Sequence, residues 1–365
     1  MYPKHTLRLS ASSRQLFRSA SSPQPSTSPL HPITTPPQPS PQPRTYSTTL
    51  YYPPSNRLKG RSCMITGGTS GIGYAIAARF LQEGIDQVIL VGRSPARLVS
   101  AATTLSSSSS IAEPPSQPQS PSSPETPQQH TLLPFSPTIS LLVGDIADAA
   151  SWSRELEKVM QTTNPTHLIN AAGLSISRVL PKSSPEDIAR ILDTNLQGAI
   201  LTTRAFLRAA MRNHVRAKRS PSPAASASTV IGNGDGDGES TGADQPPPSK
   251  SIINIASLLA RKGGTGAVTY AASKAGILGL TRSVAVEAGT ALREVRVRSN
   301  AIVPGYVETP MIEDFSEGET TRLKQSIPLG RFGLPHEVAD AAVFLALNEY
   351  ANNCVLNLDG GLSAV

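Results

Sequence analysis

Apolar residues in this chain gather in short, unbroken runs that end at turn formers, with stretches of helical period between them. Strands are expected at 61–66, 87–91, 139–143, 167–170, 251–255, 296–302 and 353–358. Runs such as Val88-Ile89-Leu90-Val91 and Leu141-Leu142-Val143 are apolar at both parities, which suits strands covered on both faces rather than half-exposed ones. With helices between the strands, the pattern predicts an α/β fold, a doubly wound parallel sheet of Rossmann type, whose ligands bind at the carboxyl ends of the strands.

Two stretches break the alternation. One runs from about 103 to 137 through Ser106 to Ser110 and a Pro, Ser and Gln cluster, the other from about 216 to 249 through Gly232 to Gly242 and Pro246 to Pro248. Their composition cannot bury a core, and they are expected to be disordered insertions in surface connections, where loop-closure entropy grows slowly with length. Without them and the leader, about 235 residues remain, enough for one large domain over 59–365.

The formal charge of +7 would suggest nucleic acid if it were spread over the chain. It is not. Lys4, Arg8, Arg14, Arg18, Arg44, Arg57 and Lys59 all lie within residues 1–60, which hold no Asp or Glu, so the remainder is neutral. A basic leader rich in Ser and free of acids has the composition of a mitochondrial transit peptide, and residues 1–58 are expected to combine one with a disordered Pro/Ser-rich tail. Arg44-Thr45-Tyr46-Ser47 resembles a matrix-protease cleavage signal, which places the mature start near Ser47 in the mitochondrial matrix. Cys63 and Cys354 both fall in expected strands and read as buried thiols, no metal-ligand spacing is visible, and no apolar run reaches the ~20 residues of a membrane span.

The chemistry is carried by Tyr270 and Lys274, four apart and so on one face of a helix, with Ser257 thirteen residues before the tyrosine. A nearby ammonium favours tyrosinate, so the Tyr270 phenol is expected to fall below its ordinary pKa of about 10. Upstream, Gly67-Gly68-Thr69-Ser70-Gly71-Ile72-Gly73 lies between the first strand and a helix. Glycines there let the backbone approach a pyrophosphate at the helix N-terminus. After the second strand, Gly92-Arg93-Ser94 offers a guanidinium and a hydroxyl, where NAD enzymes of this fold carry a carboxylate. Arg93 and Ser94 therefore favour a 2′-phosphate, and NADPH is the expected cofactor.

With these residues goes a series in order, Asp145, Asn170-Ala171-Ala172-Gly173, Asn195, Pro304-Gly305 and Asp359-Gly360-Gly361. Together they resemble the short-chain dehydrogenase/reductase family and, within it, the 3-oxoacyl-[acyl-carrier-protein] reductases. One departure is Ala171, where the family more often has a second asparagine. The resemblance implies a catalytic set of Asn195, Ser257, Tyr270 and Lys274. It also implies cofactor contacts from Gly67, Thr69, Ser70, Gly71, Ile72, Gly73, Arg93, Ser94, Asp145, Asn170, Ala171, Gly173, Tyr270, Lys274, Pro304, Gly305, Val307 and Thr309. In that scheme Asp145 accepts from the adenine amino group, though as a residue it equally suits the N-cap of a helix around 147–160. Lys274 binds the nicotinamide ribose, Asn195 holds a water that returns a proton, and Thr309 meets the carboxamide.

The implied reaction is reduction of a 3-oxoacyl thioester on acyl carrier protein, as in mitochondrial type II fatty acid synthesis. A reductase of free ketones, quinones or polyols, and a non-catalytic dinucleotide-binding scaffold subunit, stay open. Lys262, Arg282 and Arg293 are candidate docking points for an acidic carrier near the cleft. Ile312, Phe315, Leu323 and Ile327 suit either an acyl channel or the packing of a lid. Small residues Ala271, Ala275 and Gly279 on the Tyr270 helix fit the homotetramer that the family commonly makes.

Overall fold

The strands run in the order β1 (Ser62–Thr66), β2 (Gln87–Gly92), β3 (Leu132–Pro134), β4 (Ile139–Val143), β5 (His167–Asn170), β6 (Lys250–Ile255), β7 (Val297–Pro304) and β8 (Val355–Leu358), and all but β3 appear within two residues of their predicted ends. The computed structural model describes residues 55–108, 128–219, 248–313 and 315–365. The leader up to residue 54 and the central parts of both insertions, 109–127 and 220–247, lie outside the described residues. β7 and β8 start later than expected because Arg296 (φ 47°) and Asn353 (φ 55°) take left-handed backbone, which cannot belong to a strand.

The strands form one sheet in the order β3-β4-β2-β1-β5-β6-β7-β8. Every neighbouring pair is parallel except β3 with β4. β3 is an element the sequence did not announce. Leu132-Leu133-Pro134 is too short to stand out inside a Ser/Pro/Gln-rich stretch, and it pairs antiparallel along the outer side of β4. Proline is tolerated on an edge strand, and Leu133 and Phe135 turn apolar surface onto the core.

Helices α1 (Gly71–Gln82), α2 (Pro95–Ser108), α3 (Ser153–Thr163), α4 (Pro185–Leu192), α5 (Gly198–Arg219), α6 (Val268–Ala291), α7 (Glu317–Ser326) and α8 (Pro335–Leu347) complete the fold. Both insertions are therefore shorter than composition suggested. α2 runs on to Ser108 with Ala102 and Leu105 buried, and α5 runs on to Arg219. The fold also takes in residues assigned to the leader. Leu58 is fully buried, and Arg57 and Ser55 hydrogen-bond the Glu83 carboxylate.

Alternate strand residues serve opposite faces. Cys63, Ile65, Val88 and Leu90 meet α1, α2 and α8 through Phe80, Leu98 and Val343. Met64, Ile89 and Val91 meet α3, α5 and α6 through Leu156, Phe206 and Val284. Between β5 and β6 a polar row crosses the core. Asn170 Nδ2 donates to Asn254 Oδ1 (2.8 Å) and Thr203 Oγ1 (3.1 Å), Thr202 Oγ1 donates to Asn170 Oδ1 (2.7 Å), and Asn254 Nδ2 donates to Thr281 Oγ1 (3.0 Å).

His167 is buried in β5, edge-on to Phe80 at 6.0 Å, and neither ring nitrogen has a hydrogen-bond partner among the described residues. Burial, reinforced by the positive charges of Arg61, Arg298 and Lys250, pulls its pKa down to about 3 from 6.5. The unfolded chain thus takes up a proton near pH 6.5 that the folded chain refuses, and stability is lost as pH falls from about 6.5 toward 3. His167→Leu is expected to flatten that part of the stability profile and to add about 1–3 kcal/mol at neutral pH by removing the unpartnered nitrogens. Urea midpoints across pH 4 to 7 (roughly the window of the effect) check it, and an unchanged slope refutes it.

Candidate active site

The sheet reverses direction of growth between β1 and β5, and the motif residues collect at the carboxyl ends of the strands on either side of that point. β1 ends at Thr66, and Gly67 turns the chain with φ 71° while its N–H reaches Val91 O at 3.1 Å. Gly73, one turn into α1, lies so close to this turn that a Cβ on it would stand 2.4 Å from Gly67 O. A Cβ on Gly67 would in turn meet Ala172 Cα at 2.7 Å, so the glycine loop is pressed against the end of β5. α1 opens after Ser70 with no side-chain cap and no acid in its first turn, which leaves its N–H groups and positive dipole end for an anion.

Around this loop stand the other expected contacts. Thr309 lies over the start of α1, 3.3 Å from where a Gly71 Cβ would be, and Thr69 lies against Gly92 at the end of β2. Ile72 is partly buried against the core. Arg93 is exposed and makes no hydrogen bond or ion pair among the described residues, while Ser94 Oγ accepts from Arg97 N at 3.4 Å. Asp145 caps a single 3-10 turn, accepting from Ala147 N at 3.0 Å, and not the long helix expected there, since α3 begins only at Ser153. Ala171 N donates to Thr66 O at 3.2 Å. The Asn170 side-chain amide is spent on Thr202, Thr203 and Asn254 inside the core. Pro304 ends β7, Gly305 N donates to Leu358 O, and buried Val307 bridges to Gly333.

The structure brings Ser257, Tyr270, Lys274 and Asn195 together. Ser257 follows β6, accepts from Leu259 N at 3.2 Å and lies near enough to Tyr270 to lower the phenol's pKa. Lys274 Nζ, 5.8 Å from the Tyr270 ring centre, donates to Ile255 O at 2.8 Å. Burial pulls Lys274 down to about 8. The expected depression of Tyr270 is not found: burial raises its pKa, opposed only in part by Ser257. Taking the ring out of water penalises tyrosinate more than its surroundings repay, and the Lys274 ammonium is turned to a carbonyl.

Asn195 lies in a wide turn of π type, Asp193–Gln197, between α4 and α5. Its Oδ1 accepts from Leu174 N at 2.7 Å, and its Nδ2 donates to Leu174 O at 2.9 Å and Ser273 Oγ at 3.1 Å. Ser273 Oγ donates onward to Tyr270 O at 2.7 Å. Sequence reasoning missed Ser273, although a polar residue on the buried side of Tyr-Ala-Ala-Ser-Lys was a signal. Gly173 keeps the centre open, since a Cβ there would lie 3.5 Å from Lys274 Nζ and 3.8 Å from Asn195 Oδ1.

Leu323 and Ile327 are buried with Leu258, Phe332 and Leu362, with Ile312 and Phe315 packed against them. Of the docking candidates, Arg293 is corrected by its distance from the reacting residues. Lys262 Nζ is engaged by Leu362 O (3.1 Å) and Val365 O (2.9 Å). Arg293, which donates to Gly289 O, follows the end of α6, roughly 25 Å along the helix from Lys274. Arg282 is exposed on α6. Among the described residues no group of three or more His, Cys, Asp or Glu could hold a metal, and no helix is long and apolar enough to cross a membrane.

Two family models match the chain, a KR domain over residues 62–232 and an Enoyl-(Acyl carrier protein) reductase over 244–363. Among curated relatives, a 3-oxoacyl-[acyl-carrier-protein] reductase of Homo sapiens is 31% identical across 83% of this chain and 98% of its own length. That of Bos taurus is 30% identical across 82% and 97%. A solved NADP-bound structure from Beutenbergia cavernae, provisionally described as an NAD(P)-dependent gluconate 5-dehydrogenase, superposes with a TM-score of 0.63 at 25% identity, covering 84% of this chain and 98% of that one.

Proposed function

The chain belongs to the short-chain dehydrogenase/reductase family, and we propose that within it the protein reduces a 3-oxoacyl thioester on acyl carrier protein to the 3-hydroxyacyl form with NADPH. The observation that carries the reading is the convergence of Ser257, Tyr270 and Lys274 beside a glycine cradle that a single Cβ would fill. That cradle fits a dinucleotide. Gly67 to Gly73 and the α1 N-terminus would hold its pyrophosphate, Arg93 and Ser94 a 2′-phosphate, Asp145 the adenine amino group, Lys274 the nicotinamide ribose and Thr309 the carboxamide.

Bound NADPH supplies a hydride to the substrate carbonyl carbon. As negative charge grows on the carbonyl oxygen, Ser257 donates a hydrogen bond to it and Tyr270 delivers its proton there. A phenol held protonated by burial suits this direction of reaction, since the acid form is the one used. Lys274 then stabilises the tyrosinate left behind. Asn195, with its amide groups engaged, braces the Leu174 loop and Ser273 around this pair, and a proton taken up from solvent restores the Tyr270 phenol and completes the cycle.

Purified protein is expected to oxidise NADPH with acetoacetyl thioester on carrier protein at a kcat/KM at least about tenfold above that for free ketones, as an extra binding contribution of ~1.4 kcal/mol implies. The reverse preference would favour the second reading, a reductase of free carbonyls or polyols, which the likeness to the gluconate dehydrogenase structure supports. No turnover with either would revive a scaffold role. Arg93→Ala is expected to weaken NADPH binding about ten- to a hundredfold and leave NADH nearly unchanged, because one charge-assisted contact to phosphate is lost. An unaltered preference between the two cofactors would remove the case for Arg93. The acid-free leader supports a matrix address, and the surface of Ala271, Ala275 and Gly279 supports a homotetramer. An intact N-terminus on protein isolated from cells, or a monomer in solution, would overturn the corresponding part.

A further inference from the structure

The chain re-enters the described fold at Gln128 beside the carboxyl end of β4, and what it builds there is additional to the motifs. Gln129 pairs in parallel with Val143, and His130 N donates to Val143 O at 2.8 Å. His130 takes left-handed backbone (φ 59°), and its ring stacks on Trp152 with centres 4.8 Å apart and planes 3° from parallel. The Trp152 indole is only 1% exposed, so the half-buried His130 ring forms part of its cover. Trp152 Nε1 donates to Asp145 O at 3.0 Å, and the indole lies against Gly144, where a Cβ would come within 2.3 Å of the ring. A continuous series of contacts thus runs from the re-entering segment through two stacked rings to the turn that carries Asp145.

We propose that His130 is a positioning residue for the adenosine end of the cofactor: its ring, stacked on Trp152, holds the Gly144–Asp145 turn against which that end binds. This rests on the dinucleotide reading above. His130 need not touch the ligand. It fixes the indole, the indole fixes the Asp145 peptide through its N–H, and the Asp145 carboxylate is presented from a turn with little freedom. The nicotinamide end, at Tyr270, Lys274 and Thr309, has no part in this series.

The experiment follows from that division. ADP-ribose, which carries the adenosine end common to both cofactors, is titrated by calorimetry into the full chain and its variants, and reduced nicotinamide mononucleotide is titrated by its fluorescence. His130→Ala and His130→Gly are both expected to weaken ADP-ribose about three- to tenfold, the range of an aromatic stacking contribution. His130→Phe, which restores a stacking ring, is expected to stay within about twofold of the parent. Reduced nicotinamide mononucleotide is expected to bind all four proteins equally. The glycine variant separates ring from backbone, since it accepts the left-handed conformation without strain. Parent-like affinity in His130→Gly, a His130→Phe as weak as His130→Ala, or a parallel loss for reduced nicotinamide mononucleotide would each overturn the proposal. A parent protein that binds neither fragment would overturn the dinucleotide reading itself and this inference with it.

Discussion

Tyr270→Phe is expected to lower kcat by about a hundred- to ten-thousandfold, the usual contribution of a positioned acid, while NADPH affinity stays within about twofold. The ring remains, so its packing and the contacts of Lys274 are kept; only the hydroxyl that meets Ser257 and would protonate the substrate oxygen is gone. The parent's pH profile is part of the same prediction. Burial holds the phenol above its ordinary pKa and Lys274 at about 8, so reduction should be sustained through neutral pH and decline first as the solution passes about pH 8 and Lys274 loses its charge. Stopped-flow or steady-state oxidation of NADPH gives kcat, and fluorescence titration gives cofactor affinity. A variant that kept kcat within tenfold of the parent would remove Tyr270 from the role of acid.

Gly73→Ala is expected to have the largest effect on binding, lowering NADPH affinity about a hundredfold or more through displacement of the loop by about 1 Å. The new methyl would stand 2.4 Å from Gly67 O and 2.9 Å from Gly67 C, and neither atom belongs to a side chain that can swing aside. Relief has to come from moving the Gly67 turn or the start of α1, the two pieces that receive the pyrophosphate. The fold should also lose about 1–3 kcal/mol, as overpacked sites do. Cofactor titration and thermal unfolding measure the two losses separately, and an affinity within threefold of the parent would show that the cradle tolerates a side chain there.

The fold was legible because a parallel sheet buried on both faces writes its strands as unbroken apolar runs, and β4 and β5, buried at every position, are the clearest cases. The reacting residues were legible for a different reason: Tyr270 and Lys274 share one helix, so their spacing alone puts them on one face. What could not be read depends on contacts distant in sequence. β3 is three residues long and gains its identity only from pairing with β4. The upward shift of Tyr270 follows from burial by elements that no local window contains. Asn170 stood in the right motif, yet its amide turned inward because Thr202, Thr203 and Asn254 wait there. Lys262 looked free from its local sequence and is held by the carbonyls of Leu362 and Val365, a hundred residues away.

The polar row through Asn170, Asn254 and Thr281 works as a check on assembly. Asn170 and Asn254 are direct partners in the pairing of β5 with β6. Both strands are buried on each face, so burial alone scarcely distinguishes the right alignment from one slipped by a single residue. The amides do distinguish it: a slipped pairing strands donors and acceptors in a dry interior, at about 1–3 kcal/mol for each group left unmatched. The same alignment fixes the height of Lys274, which is anchored on the carbonyl that ends β6.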